Sequence, residues 1–171
     1  VERGQDSLET VLNNEAVFKA VYELIPAEDT FNVGDIMKQP FTKIYQCFDL
    51  YREGNVLEAV GLFLSKTIED VLKLPANQVM KFMKWLEQEI SKCSNLLNSI
   101  PSVKDMDMEA AGSDRMNQIG EFAIYRSITN DPREWESLGE ARFELMYIKL
   151  LGDGIQSVVQ RDYGEIIKNK K

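Results

Sequence analysis

The sequence predicts an all-α protein, a helical bundle of about seven to nine helices that could be arranged in two lobes. Three observations carry that expectation. Apolar residues recur at intervals of three and four almost throughout, whereas two-residue alternation is confined to Thr30-Phe31-Asn32-Val33, a stretch short enough to be merely extended. The five prolines, Pro26, Pro40, Pro75, Pro101 and Pro132, each stand beside a break in that periodicity. A chain of 171 residues with 44% hydrophobic content is also long enough to bury a core.

Taken in order, a first helix is expected to start after Asp6 or Ser7, where Asp6 and Glu9 have capping-box spacing, and to end before Pro26. Val17, Val21 and Leu24 would line one face, with Phe18 and Ile25 beside them. A second helix spans Pro40 to Arg52 and stops at Gly54. Asn55 caps a third, whose face holds Val56, Val60, Phe63 and Leu64, with Gly61 admitting another backbone. Thr67 and Asp70 mark one short turn of helix before Pro75. Next comes the strongest pattern. Val79, Met83, Leu86, Ile90, Cys93, Leu97 and Ile100 form a seam spaced 4-3-4-3-4-3 along a helix of about 36 Å. Its flanks include Met80, Phe82 and Leu96, too wide an apolar face for a charged-edge zipper, so packing inside a bundle is preferred to a homotypic coiled coil.

The segment after Pro101 is polar, with Asp105, Asp107 and Glu109 between methionines and then Gly112-Ser113-Asp114. It divides the chain into an N-terminal helical lobe (1–101), an acidic linker (102–113) and a C-terminal helical lobe (114–171). A helix from about Ser113 to Ile128 would bring Met116, Ile119, Phe122 and Ala123 together. Asp131-Pro132-Arg133-Glu134 is a helix start, opening a short helix anchored by Trp135 and ending near Gly139. Ala141 to Leu151 is apolar nearly all round and should be the most buried C-terminal element. Gly152-Asp153-Gly154 is expected to break it, and Ile155, Val158, Val159, Tyr163, Ile166 and Ile167 to form a last amphipathic stripe.

Composition narrows function by exclusion. With 28 Asp+Glu against 20 Lys+Arg the formal charge is -8, unsuited to neutralising phosphates, so no nucleic-acid partner is expected. The absence of histidine removes Ser-His-Asp and Cys-His pairs, imidazole bases and the commonest metal ligand. Asp105 to Glu109 resembles the start of a calcium loop, but Ala110 stands where such a loop needs glycine and Met116 where it needs glutamate. Gly152 and Gly154 do not complete a dinucleotide fingerprint. No catalytic, cofactor or metal residues are therefore assigned, and no enzyme activity is expected. Cys47 and Cys93, the only cysteines, are expected to be reduced in a cytoplasmic protein, and no segment is apolar enough to span a membrane.

Trp85 is the residue that invites a binding role. On the long helix it lies away from the seam, among Lys81, Lys84, Gln88 and Lys92. Either another segment of the chain covers it, Phe31 to Ile36 being the candidate, or it anchors a partner protein together with Met80, Lys81, Phe82 and Lys84. The methionines could line an adaptable surface, but core filling is the commoner use of Met80, Met83, Met106, Met108, Met116 and Met146.

Two stretches resemble a known group. The run from Asp70 to Leu86, Asp-Val-Leu-Lys-Leu-Pro-Ala-Asn-Gln-Val-Met-Lys-Phe-Met-Lys-Trp-Leu, is similar to the short leucine-proline-then-helix element of the small helical assembly chaperones of long-tailed bacteriophages. The run from Ala111 through Ile119-Gly120, Trp135 and Tyr147 to Tyr163-Gly-Glu-Ile-Ile-Lys168 is similar to a layout recurring in phage structural gene clusters. The resemblance covers a little over half the chain and implies a non-catalytic protein, without cofactor, that binds the tape-measure protein in the host cytoplasm. The partner would offer an apolar helical surface, and homo-oligomers are open to such a chain. The alternatives are a helical structural subunit of a virion or other assembly and an adaptor or inhibitor of a host protein.

Overall fold

The computed structural model describes residues 7–103 and 119–170. Those residues are helical and carry no β-strand. The fold is all-α, as the three-and-four periodicity predicts. The chain divides into two compact units. One comprises Val1–Ile36 with Lys43–Ser94, the other Met37–Thr42 with Asn95–Lys171. This division departs from 1–101, 102–113 and 114–171 because the short segment before Lys43 pairs with residues far along the chain, which local patterning does not reveal. The acidic linker with Asp105, Asp107 and Glu109, and the start of the helix expected from Ser113 with Met116, fall in 104–118, outside the described residues.

The first unit holds α1 (Leu8–Leu12), α2 (Glu15–Leu24), most of α3 (Phe41–Arg52), α4 (Val56–Leu64), α5 (Ile68–Leu72) and α6 (Ala76–Asn98) up to Ser94. The single first helix expected from the sequence is in fact two. Asn14 accepts from the Phe18 amide at 2.9 Å and so begins α2 afresh, in keeping with the preference of asparagine for helix ends over helix interiors. Leu8 is fully buried and its amide donates to the Leu74 carbonyl at 3.0 Å, tying α1 to the α5–α6 junction. The expected face of the first helix is only partly covered: Phe18 and Ile25 are half-buried, whereas Val21 is exposed and Leu24 is 86% exposed.

Sequence punctuation explains the next elements. Asn55 begins α4 as expected, but its side chain donates to Glu53 rather than capping the helix. Gly61 is needed for a close approach: a Cβ there would stand 2.7 Å from the Lys66 carbonyl oxygen, where the chain turns back through left-handed Ser65 and the Lys66 amide donates to Gly61. Thr67 accepts from the Asp70 amide at 3.2 Å and caps α5. The seam of α6 is the spine of the unit, with Val79, Met83, Leu86, Ile90 and Cys93 all buried and joined by Ala76, Met80 and Phe82. Tyr51 of α3 donates to the Met83 carbonyl at 3.2 Å, and Cys47 and Cys93 are both buried and not joined in a disulfide.

The second unit is built on α7 (Glu121–Ile128), α8 (Trp135–Glu140, entered through a tight turn at Pro132–Glu134) and α9 (Phe143–Lys168). Asp131 accepts from the Arg133 amide at 3.0 Å, the helix start read from Asp-Pro-Arg-Glu. The Phe41 amide donates to Ala141 at 2.8 Å and the Phe143 amide to Gln39 at 2.9 Å. Between them the rings of Phe41 and Phe143 stack at 5.8 Å, and Phe41 meets Tyr125 edge-on at 6.1 Å. Phe41, Tyr125, Phe143 and Met146 form the core of this unit.

Two expectations for the C-terminal region are corrected. Gly152-Asp153-Gly154 does not break the helix, since α9 runs unbroken through it. Lys149 bonds Asp153 one turn on at 2.6 Å, Ser157 donates to the Asp153 carbonyl, and Gly154 lets the helix lie against Pro101, whose carbonyl oxygen would stand 2.4 Å from a Cβ. Ala141 to Leu151 is not buried all round. Only Phe143 and Met146 are buried, whereas Leu145 and Ile148 face solvent.

Candidate protein-binding surface

The Trp85 face is the first candidate, and the chain covers much of it. The loop after α2 lies along α6: the Glu28 amide donates to the Lys81 carbonyl at 3.2 Å and Thr30 Oγ1 to the Gln78 carbonyl at 2.7 Å. The Asp29 carboxylate accepts from the Val33 and Gly34 amides, so Thr30 to Val33 is a turn with left-handed Asn32, not an extended stretch. Phe31 then meets Phe82 edge-on at 5.2 Å, and Phe82 stacks on Trp85 at 5.3 Å.

Each residue proposed for that face has a place in this packing. Met80 and Phe82 are buried and Trp85 is half-buried. Lys81 pairs with Glu28 at 2.6 Å. The Lys84 ammonium donates to the carbonyls of Tyr22, Glu23 and Ile25, closing the end of α2. The segment proposed to cover Trp85 supplies Phe31, and with Met80 and Phe82 in the core this face presents no continuous apolar surface.

α9 does present one. At 100° per residue, Leu145, Ile148, Ile155, Val159, Tyr163 and Ile166 lie within an arc of about 80°, opposite Phe143 and Met146, and rise about 32 Å along the axis. All six are exposed, Ile148 at 62% and Tyr163 at 64%. Ile167 adjoins them. The charges beside the stripe are matched within the chain: Lys149 with Asp153, Arg142 with Glu144, and Arg161 with Asp162. The result is an exposed apolar strip beside paired charges, which makes it the candidate surface.

No protein-family model, curated protein or solved structure matches the chain. The surface therefore rests on its own chemistry. Completing the burial of these side chains stabilises a complex by about 1 kcal/mol each, several kcal/mol over the stripe before the cost of association. The sequence places Ile155, Val159, Tyr163 and Ile166 on one amphipathic stripe, whereas Leu145 and Ile148 fall in the segment expected to be the most buried of the C-terminal region. The signal was present: a segment apolar nearly all round, on a helix whose opposite face already held Phe143 and Met146, has one stripe more than a single neighbour can cover. Among the described residues no helix is long and apolar enough to cross a membrane.

Proposed function

We propose that the protein works by non-covalent binding, covering an apolar helical stripe of another protein until that protein is assembled, as the chaperones of phage tape-measure proteins do. The observation that carries this reading is the exposed stripe of α9. A long partner helix would lay its apolar face along Leu145 to Ile166, burying both stripes at once, while the net charge of -8 keeps the pair dispersed in solution. The resemblance of Asp70–Leu86 and of the run from Ala111 to Lys168 to phage assembly chaperones supports the choice of partner.

Coexpression with the long helical product of a neighbouring gene, followed by size exclusion with light scattering, tests the reading. The expected result is a soluble complex of fixed stoichiometry that is lost in an Ile155→Asp/Val159→Asp variant whose melting temperature is unchanged. Rings or large oligomers formed by the protein alone would overturn it in favour of a structural subunit. Failure to keep any helical neighbour in solution, with stable capture of a host enzyme instead, would overturn it in favour of an adaptor.

A further inference from the structure

We propose that the second unit carries a separate pocket that takes the guanidinium side chain of an arginine from a partner protein. The pocket is an open cleft of about 340 Å³ lined by α7, α8, the turn at Pro132 and Thr42. Its walls are of two kinds. Phe122 and Trp135 face each other with ring centres 5.6 Å apart and planes 37° apart, and Tyr125 meets Phe122 edge-on at 5.8 Å. Glu121, Glu136 and Glu140 supply carboxylates, and among the described residues no lysine or arginine lines the space.

The carboxylate of Glu121 is fixed, and among the described residues no cation neutralises it. Thr42 Oγ1 donates to it at 2.7 Å and Tyr125 Oη at 3.0 Å, both neutral hydroxyls. Gly139 at the floor permits this arrangement, since a Cβ there would lie 3.1 Å from Tyr125 Oη. Burial foremost, with the Glu121 and Glu140 charges adding and the Thr42 hydrogen bond opposing, holds the Tyr125 phenol above its ordinary range.

The chemistry selects the ligand class. Among the described residues no three acidic, cysteine or histidine groups stand close enough together to hold a metal ion, so these carboxylates surround a space rather than converge on a point. Aromatic faces favour a weakly hydrated organic cation over a small hydrated one. Guanidinium is planar, stacks on rings and pairs with carboxylates through several N–H groups, and the volume accommodates one such side chain. The pocket is distinct from the α9 stripe, so it holds or fails independently of that surface.

Titration with Nα-acetyl-arginine amide, followed through the indole N–H signals of Trp135 and Trp85 by NMR, tests the assignment. A ligand of this size is expected to bind with millimolar affinity and to move the Trp135 signal saturably. The Glu136→Gln/Glu140→Gln variant, altered only at exposed side chains, is expected to bind about tenfold more weakly at an unchanged melting temperature. The citrulline amide, isosteric but neutral, is expected to leave Trp135 unmoved. Equal binding of citrulline, undiminished binding by the double variant, or no response at Trp135 would each overturn the proposal.

Discussion

Lys84 on α6 donates its ammonium to the Ile25 carbonyl at the end of α2, at 2.9 Å. The same group bonds the carbonyls of Tyr22 and Glu23 and lies 5.9 Å from the centre of the Tyr22 ring. One side chain thus satisfies three carbonyls that a helix terminus leaves without partners. Lys84→Met keeps the aliphatic stem and removes the charge. It is expected to cost about 2 kcal/mol, measured as a lower urea midpoint at unchanged slope.

Glycines inside helices make opposite predictions according to what lies beside them. Gly61→Ala drives a methyl into the Lys66 carbonyl oxygen and is expected to destabilise by about 1–3 kcal/mol. Gly152→Ala meets nothing within 4 Å and is expected to stabilise by about 0.5–1 kcal/mol, since alanine gives up less chain entropy. Thermal melts of the two variants check the signs.

How far the sequence discloses this structure depends on the range of the interaction involved. Thr67, Asp131-Pro132 and the α6 seam act within a turn or two, and each is where local pattern places it. Asn13-Asn14 also acts locally, but the apolar spacing on either side hides the restart at Asn14. Gly154 misleads for a different reason: its effect is decided by Pro101, far away in the chain, and a glycine with such a neighbour belongs to a helix rather than ending it. The exposed stripe of α9 was legible as a set of residues but not as a surface. Periodicity shows that Ile155 and Val159 share a face, and only tertiary structure shows that nothing in the described chain covers it. Lys84 and Phe82 are the converse, read as candidate partners' contacts and engaged instead by Ile25 and Phe31.

The two faces of α9 should respond differently to substitution. Phe143→Ala removes a fully buried ring stacked on Phe41 and is expected to cost about 3–5 kcal/mol. Ile166→Lys changes an exposed position and is expected to stay within about 0.5 kcal/mol of the parent. Denaturant titration of both variants separates the supporting face from the free one.

Alkaline pH should weaken the fold. Burial pushes the thiols of Cys47 and Cys93 from 9.0 up to about 12, and burial likewise raises the phenols of Tyr22 and Tyr51. The folded chain therefore keeps protons that the unfolded chain releases. Stability is complete below about pH 9 and falls as pH rises toward 12, by up to about 1.4 kcal/mol per pH unit for each thiol. Urea midpoints recorded from pH 7 to 11 check the slope, and at pH 8 the native thiols are expected to resist a disulfide reagent that reacts promptly once urea is added.

Continuity of α9 beyond Gly154 has a dynamic consequence. Its first two turns are steadied by Phe143 and Met146, whereas most side chains from Ile155 to Lys168 stand in water. Amide deuteration should run fastest near Lys168 and slow progressively toward Phe143, as fraying travels inward along an uninterrupted rod. A ligand clasping the outer half would flatten that gradient, so the exchange profile would report occupancy even where no chromatographic change is seen.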